Sequence, residues 1–465
     1  MSDLKAGCAQ VCITPPVGTR MAGYPGRNEG SVGVRDDLMG RVLVMSNGDS
    51  HIALITLDVI GLDAAQVSEV RQGIEEATGI SSDHVMISCS HTHSGPVMPS
   101  SDPRRDPFDS REQVPVPSRV DVLVDMLVGA AGQARKNMQE VSLRFLKGAL
   151  VGWSQNRRRV AQGGVPIDPD VMGFVLTGKN GDPLSIVVNY TCHPTVMGGK
   201  NLLISADYPG AMARLVGSVF KGCSVLFING ACANINPNWF KLENNAFETV
   251  DRFGQALGGE VIRSVQSAIA MGEAERDTTL LGRCICDPLP LWPQPDGDGA
   301  NEVLAAQRAL LEKAKAGGFP KNPFPFWHSM TVDENLSVAG AESYVAWAET
   351  LARLAESNIS VEAPGAEVQV LRIGRGGIAS YPGEVFMELG LRVKEAFKDR
   401  PVMVAGYSNG SVGYIPTKEA FREGGYEVTS AQRASLIPIS PEGGDLLTDQ
   451  AIALLGEAFG VGRAG

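Results

Sequence analysis

Two apolar, β-branched runs, RVLVMSN (41–47) and HIALITLD (51–58), flank Asn47-Gly48. That dipeptide between such runs specifies a tight hairpin, because both central turn residues must take positive φ. A sheet holding this pair therefore contains antiparallel strands. The next stretch, DAAQVSEVRQGIEEATG (63–79), reads as a helix with Asp63 as N-cap and Gly79 as its stop, followed by a strand over 84–89. Strands over 172–177 and 184–190 flank the turn KNGDP, and SVLFIN (224–229) is followed by a helical stretch over 247–270. EVQVLRIG and GIASY lead through PGE to a helix expected to begin near Glu384, and VMVAG is a short buried strand. Hairpins set among β–α alternations predict an α/β fold with a mixed central sheet flanked by helices.

The 465 residues are expected to form a single catalytic domain, 1–465. An insertion at about 284–360 stands apart from the rest. Proline- and aromatic-rich runs (CDPLPLWPQPDGDG, GFPKNPFPFWHS) there surround helical stretches at 301–316 and near 340–357, and the segment is expected to cover the sheet edge or the mouth of a pocket. A formal net charge of −11 and a pI near 5.2 argue against a nucleic-acid or anionic-membrane surface. No basic region followed by an apolar stretch opens the chain, and no run of eighteen apolar residues occurs, so the expectation is a cytoplasmic protein without membrane insertion. A small-molecule substrate is the expected partner, and a homo-oligomer stays open. The eight cysteines, with no C-x-x-C pair, read as ordinary buried thiols.

Against that background SCSHTHSGP (88–96) is unusual: two of only six histidines sit in one tripeptide directly after a strand. His91, His193, Glu384 and Tyr414 are far apart in sequence, yet each follows a strand-like segment by a few residues. Loops beyond strand ends converge on the ligand crevice in open α/β sheets. Nitrogen ligands with one carboxylate and an open position suit a catalytic Zn2+. Taken singly, three have an ordinary reading, as a hydrogen-bonded histidine pair, a packed turn histidine before Pro194 and a first-turn glutamate, and Tyr414 alone says nothing. His51, His84 and His328 lack partners in their own segments and read as structural.

The ordered motifs AGCAQVCITPPVGTRMAGY, SHTHSGP, NRRR, NYTCHP, SADYPG, FINGACANINP, YPGE and GYIPT resemble the neutral ceramidase family, from about residue 5 to 430. The resemblance implies a zinc ion held by His91, His193, Glu384 and Tyr414. It further implies that His93 contacts the reacting carbonyl and that Arg157 matches the family's motif arginine. Where the family carries a serine that works at the amide, this chain has Asn236. The expectation is also of a member without the signal peptide and C-terminal immunoglobulin-like domain of the family's secreted proteins.

These departures lead to the expectation of a zinc-dependent hydrolase of a small polar amide, lactam or ester, using water activated at the metal, rather than of ceramide. The catalytic set is expected to be His93, Arg157, Tyr414 and Glu384. His93 is placed off the metal as an acid–base group, and Tyr414 beside the oxyanion. Arg157 would offer a bidentate fork to a substrate carboxylate or the oxyanion, with Asn234 and Asn236 reading polar substrate groups. Asp58 and Asp207 are expected to orient the ligand histidines. The alternatives are a metal-bound binding protein without turnover, a hydrolase of carbohydrate-like or cyclic substrates, and a cysteine hydrolase using Cys232.

Overall fold

The computed structural model describes residues 4–24, 27, 29–98, 119–159, 163–238, 246–317 and 338–461. The first part of the chain forms β1 (Lys5–Cys12), β2 (Gly33–Val34), β3 (Met39–Ser46), β4 (His51–Leu57), α1 (Ala64–Thr78), β5 (Val85–Cys89) and α2 (Arg119–Lys136). Next come β6 (Gln139–Ala149), β7 (Ser154–Asn156), β8 (Asp170–Gly178), β9 (Pro183–Tyr190), β10 (Leu203–Ile204), α3 (Asp207–Val219), β11 (Ser224–Asn229), β12 (Ile235–Pro237) and α4 (Ala246–Met271). The remainder holds β13 (Leu280–Pro288), α5 (Gly297–Lys315), α6 (Val338–Glu356), β14 (Gly365–Ile373), β15 (Gly376–Ser380) and β16 (Glu384–Val385). The described chain ends with α7 (Met387–Ala396), β17 (Val402–Ala405), β18 (Tyr414–Ile415), α8 (Lys418–Glu423) and α9 (Gly443–Phe459).

Local signals act where they were expected. Gly48 turns the β3–β4 hairpin at φ 96°. Asp63 and Gln66 close a reciprocal capping box at the start of α1, and Gly79 ends that helix in the left-handed region at φ 69°.

The main sheet has the order β11-β9-β8-β6-β1-β3-β4-β5. Its interior pairs are antiparallel, and its two outermost pairs, β4–β5 and β9–β11, are parallel. The expected mixed sheet with helices is thus present, but helices cover only one of its faces. Val42, Val44, Ala53, Ile55 and Leu57 point to α1 and α2, while Val175, Ile186 and Val188 pack under α3 and α4. The alternate residues Leu43, Met45, Ile52 and Leu54 turn the other way, onto Leu371, Ile373, Ile378 and Met403 of a second sheet, β13-β14-β15-β17. Val368, Val370 and Ala379 on that sheet's outer side pack against α7 and α9. Strands buried on both faces read as continuous apolar runs, which hides from the sequence which sheet each belongs to. Each buried Leu, Ile or Val side chain contributes roughly 1.5–3 kcal/mol, so this four-layer stack is where stability resides.

The main sheet curls until its outer strands β5 and β11 come into contact. The segment leaving β17 bridges them: Gly406 N donates to Asn229 O at the end of β11, and Cys89 N on β5 donates to Tyr407 O. Three short pairs, β2–β10, β7–β12 and β16–β18, trim the same end of the molecule.

Three expectations are corrected. Glu384 does not open a helix. It lies in β16, paired in parallel register with Tyr414 of β18, and α7 begins at Met387. The segment expected from 284 begins inside β13, which pairs with β14 through Pro288. α5 and α6 do follow and pack together against Leu436 and Ile437, and residues 318–337, on which a cover over the pocket would depend, lie outside the described residues. The eight cysteines are free, and Cys12, Cys284 and Cys286 are exposed rather than buried. Among the described residues no helix is long and apolar enough to cross a membrane.

Candidate metal centre

Five strand ends deliver the site. His91 follows β5, His193 follows β9, the loop to Asn236 follows β11, Glu384 follows β15, and the chain to Tyr414 follows β17. Ligand atoms of His91, His93 and His193 all lie within 4.8 Å of one another, a cluster able to hold a metal ion. His93 Nε2 is 3.2 Å from His91 Nε2. Glu384 Oε2 lies 3.2 Å from His193 Nε2 and 3.6 Å from His91 Nε2.

The far nitrogens decide the tautomers of two of these rings. His91 Nδ1 faces Ile60 O at 2.7 Å, and His193 Nδ1 faces Cys232 O at 2.7 Å and Ile235 O at 3.1 Å. A carbonyl only accepts, so each Nδ1 carries the hydrogen, which leaves Nε2 of the neutral ring as the atom able to bind a metal. Both Nε2 atoms face the carboxylate oxygen of Glu384, across gaps that a shared proton or a metal ion can bridge. Burial, followed by neighbouring charge, holds His93 well below the usual imidazole range, and burial likewise lowers His193. Burial pushes Glu384 up, but the surrounding imidazoles outweigh it and keep the carboxyl well below the usual range. A metal requires its imidazole ligands neutral and its carboxylate ionised, and three imidazoles clustered beside one carboxylate are a donor set that fits a divalent ion.

Backbone carbonyls, not the expected carboxylates, orient the two histidines. Asp58 accepts from Met39 N and Arg41, and Asp207 from Met197 N and Tyr208 N. Asn234 is also placed differently from its expected role in reading substrate. Fully buried, it donates to Glu388 Oε2 at 2.8 Å and accepts from Met387 N at 3.0 Å, so both ends of its amide pin the start of α7. Asn236 stays at the site, its Oδ1 accepting from Arg157 Nη1 at 3.4 Å. Arg157 does not present a free fork: Nε donates to Glu427 at 2.7 Å and Nη2 to the Tyr414 hydroxyl at 3.1 Å. Burial, and then the charge of Glu384, raises the Tyr414 phenol well above its usual value. Cys232 is buried against the Tyr407 hydroxyl at 3.1 Å, and burial pushes its thiol upward, away from the thiolate a cysteine hydrolase needs.

Several neighbours of the site had no readable signal. Tyr407 stacks on His91 with ring centroids 3.9 Å apart and planes at 19°. Both residues hold left-handed backbone, His91 at φ 66° and Tyr407 at φ 52°, which costs each on the order of 1–2 kcal/mol and is sustained by their packing. Tyr24 meets His93 edge-on at 5.1 Å, and Arg27 Nη2 donates to His93 O at 2.6 Å. Gly23, at φ 100°, lets the chain pass against His93: a Cβ there would lie 2.4 Å from Nδ1. The MAGY stretch is part of one of the motifs that carry the family resemblance, but nothing in it names His93 as the residue contacted.

Two solved structures match this fold over 98% of the chain: a neutral ceramidase from Pseudomonas aeruginosa (TM-score 0.71, 19% identity) and a ceramidase complexed with C2 (TM-score 0.72, 18% identity), each covered over 75% of its length. In sequence, Neutral ceramidase A of Dictyostelium discoideum is 26% identical over 46% of this chain, which covers only 32% of that relative's length. Neutral ceramidase of Mycobacterium tuberculosis is 22% identical over 88% of this chain and 70% of its own length. Residues 5–274 match the family described as neutral/alkaline non-lysosomal ceramidase, N-terminal, and with more than half of its length inside that match the chain belongs to this family.

Proposed function

We propose that this chain is a zinc-dependent hydrolase that cleaves a small polar amide, lactam or ester, the C–N bond favoured. The observation carrying the reading is the convergence of three imidazoles and a carboxylate at the ends of strands from both sheets. His91, His193, Glu384 and Tyr414 would hold the ion, which supplies Lewis acidity at the scissile carbonyl. Support for counting Tyr414 among them comes from the β16–β18 register, which pairs it with Glu384, and from Arg157 Nη2, which engages its hydroxyl.

His93 is assigned to proton transfer. Its Nε2 faces the same centre, but its buried Nδ1 has no hydrogen-bond partner among the described residues, unlike the other two rings. Metal-bound histidines almost always donate their second N–H to an acceptor. His93 therefore fits a group that delivers a proton from Nε2 to the departing nitrogen or oxygen.

The substrate argument rests on Asn236. An amide side chain cannot supply a hydroxyl proton as serine can, and this one is already engaged by Arg157. That favours a substrate other than the one named in the relatives' descriptions. The test compares hydrolysis of detergent-solubilised ceramide with a panel of water-soluble amides, lactams and esters, using zinc-loaded protein. Turnover of the soluble panel that is abolished by chelation and restored by Zn2+ is the expected result. Efficient ceramide cleavage, unchanged in Asn236→Ser, would overturn the substrate assignment, and zinc binding without hydrolysis of any panel member would favour a binding protein.

A further inference from the structure

Arg157 is the one arginine that touches Tyr414 among the described residues, and its orientation is imposed from outside its own segment. Glu427, in the single 3-10 turn Tyr426–Val428, accepts from Arg157 Nε at 2.7 Å through one oxygen and from Arg158 Nη1 at 2.8 Å through the other. The carboxylate is 2% exposed, and burial works against its charge, but the two guanidinium groups outweigh that cost and hold it below the usual range. The rings of Tyr414 and Tyr426, themselves 5.8 Å apart, both lie beside the Arg157 guanidinium, with centroids 5.7 and 5.5 Å from its carbon. With Nε held by Glu427 and Nη1 directed to Asn236 Oδ1, the planar fork turns Nη2 toward the Tyr414 hydroxyl.

The turn bearing Glu427 is itself anchored. Gln432 Nε2 ties Tyr414 O to Glu427 O at 3.1 and 3.3 Å, joining the turn to β18. α6 holds the continuation of the segment, through Tyr344 to Ser430 at 2.9 Å and Trp347 Nε1 to Leu436 O at 2.9 Å.

We propose that Glu427 is a positioning residue for the metal centre, acting through Arg157 to aim the Tyr414 oxygen at the ion. The Arg157 Nη2 hydrogen occupies one lone pair of that oxygen and leaves the other for the centre. This inference rests on the reading of Tyr414 as a ligand, and the experiment separates the two.

The measurement is Zn2+ affinity of the full chain, by competition with a chromophoric chelator, for wild type, Glu427→Asp, Tyr414→Phe and the double variant. Circular dichroism checks that each is folded. Aspartate keeps the charge that the two arginines require but is one methylene too short to hold both. Glu427→Asp should weaken Zn2+ binding roughly ten- to a hundredfold, the usual scale for an outer partner of a metal ligand. The double variant should bind no more weakly than Tyr414→Phe alone, because both changes remove the same contact. Wild-type affinity in folded Glu427→Asp, or losses that multiply in the double variant, would overturn the positioning role. Unchanged affinity in Tyr414→Phe would instead overturn Tyr414 as a ligand and the inference with it. The same cycle with Glu427→Gln, which leaves one oxygen for only one arginine, provides the result if the aspartate variant does not fold.

Discussion

Three histidines meet at one point, but their second nitrogens separate them. His91 and His193 are locked with a hydrogen on Nδ1 by the carbonyls of Ile60, Cys232 and Ile235, while His93 Nδ1 is buried against Gly23 with no partner among the described residues. A locked ring loses little freedom when it binds an ion, and an unlocked one can exchange its proton. His91→Ala or His193→Ala should therefore abolish both zinc content and hydrolysis, measured by elemental analysis and turnover. His93→Ala should keep zinc and lose activity by about a hundredfold or more, the scale of an acid–base group. Loss of zinc in His93→Ala would make it a third imidazole ligand, an arrangement the 4.8 Å cluster also permits.

At the level of elements, what was legible depended on how local the cause was. The Asn47-Gly48 hairpin and the Asp63 cap could be read because each is settled within about four residues. Glu384 could not be placed, because the two residues of β16 are held by Tyr414 and Ile415, about thirty positions away. The orienters of His91 and His193 were misassigned to Asp58 and Asp207 for a similar reason: the true partners are carbonyls, which every residue possesses. Asp207 instead opens α3 at φ 55°, fully buried, and burial is the first cause of its rise from 3.8 to about 7. Its folded form thus keeps a proton that the unfolded chain releases near pH 4. Stability from this group is present below about pH 4 and falls as pH rises toward 7, by on the order of 4 kcal/mol across that window. Asp207→Asn, having no proton to lose, should flatten this slope in denaturant titrations run between pH 4.5 and 7.5. An unchanged slope would show that the carboxyl is ionised throughout.

Across the whole molecule, the candidate centre lies over a seam. The main sheet is continuous from β11 to β5, and its outer strands are closed on each other by the Asn229 side chain donating to Ser90 O and by the segment after β17, through Gly406 N to Asn229 O and Cys89 N to Tyr407 O. No short sequence window contains such a closure, which is why the strands were readable and the sheet order was not. The proposed ligands come from either side of this seam and from the second sheet: His91 after β5, His193 after β9, Glu384 after β15. An ion held by them would join all three and stabilise the folded state by RT ln(1 + [L]/Kd), about 4 kcal/mol at a thousandfold excess over Kd. The gain should be local, because the layers beneath are closed by apolar packing that needs no ion. Zn2+ should accordingly slow hydrogen exchange at the amides of residues 89–91, 383–385 and 406–409, and leave the β6–β8 ladder unchanged. His91→Ala should erase that pattern. Protection spread evenly through both sheets, or none at the seam, would mean that the ion does not join these strand ends.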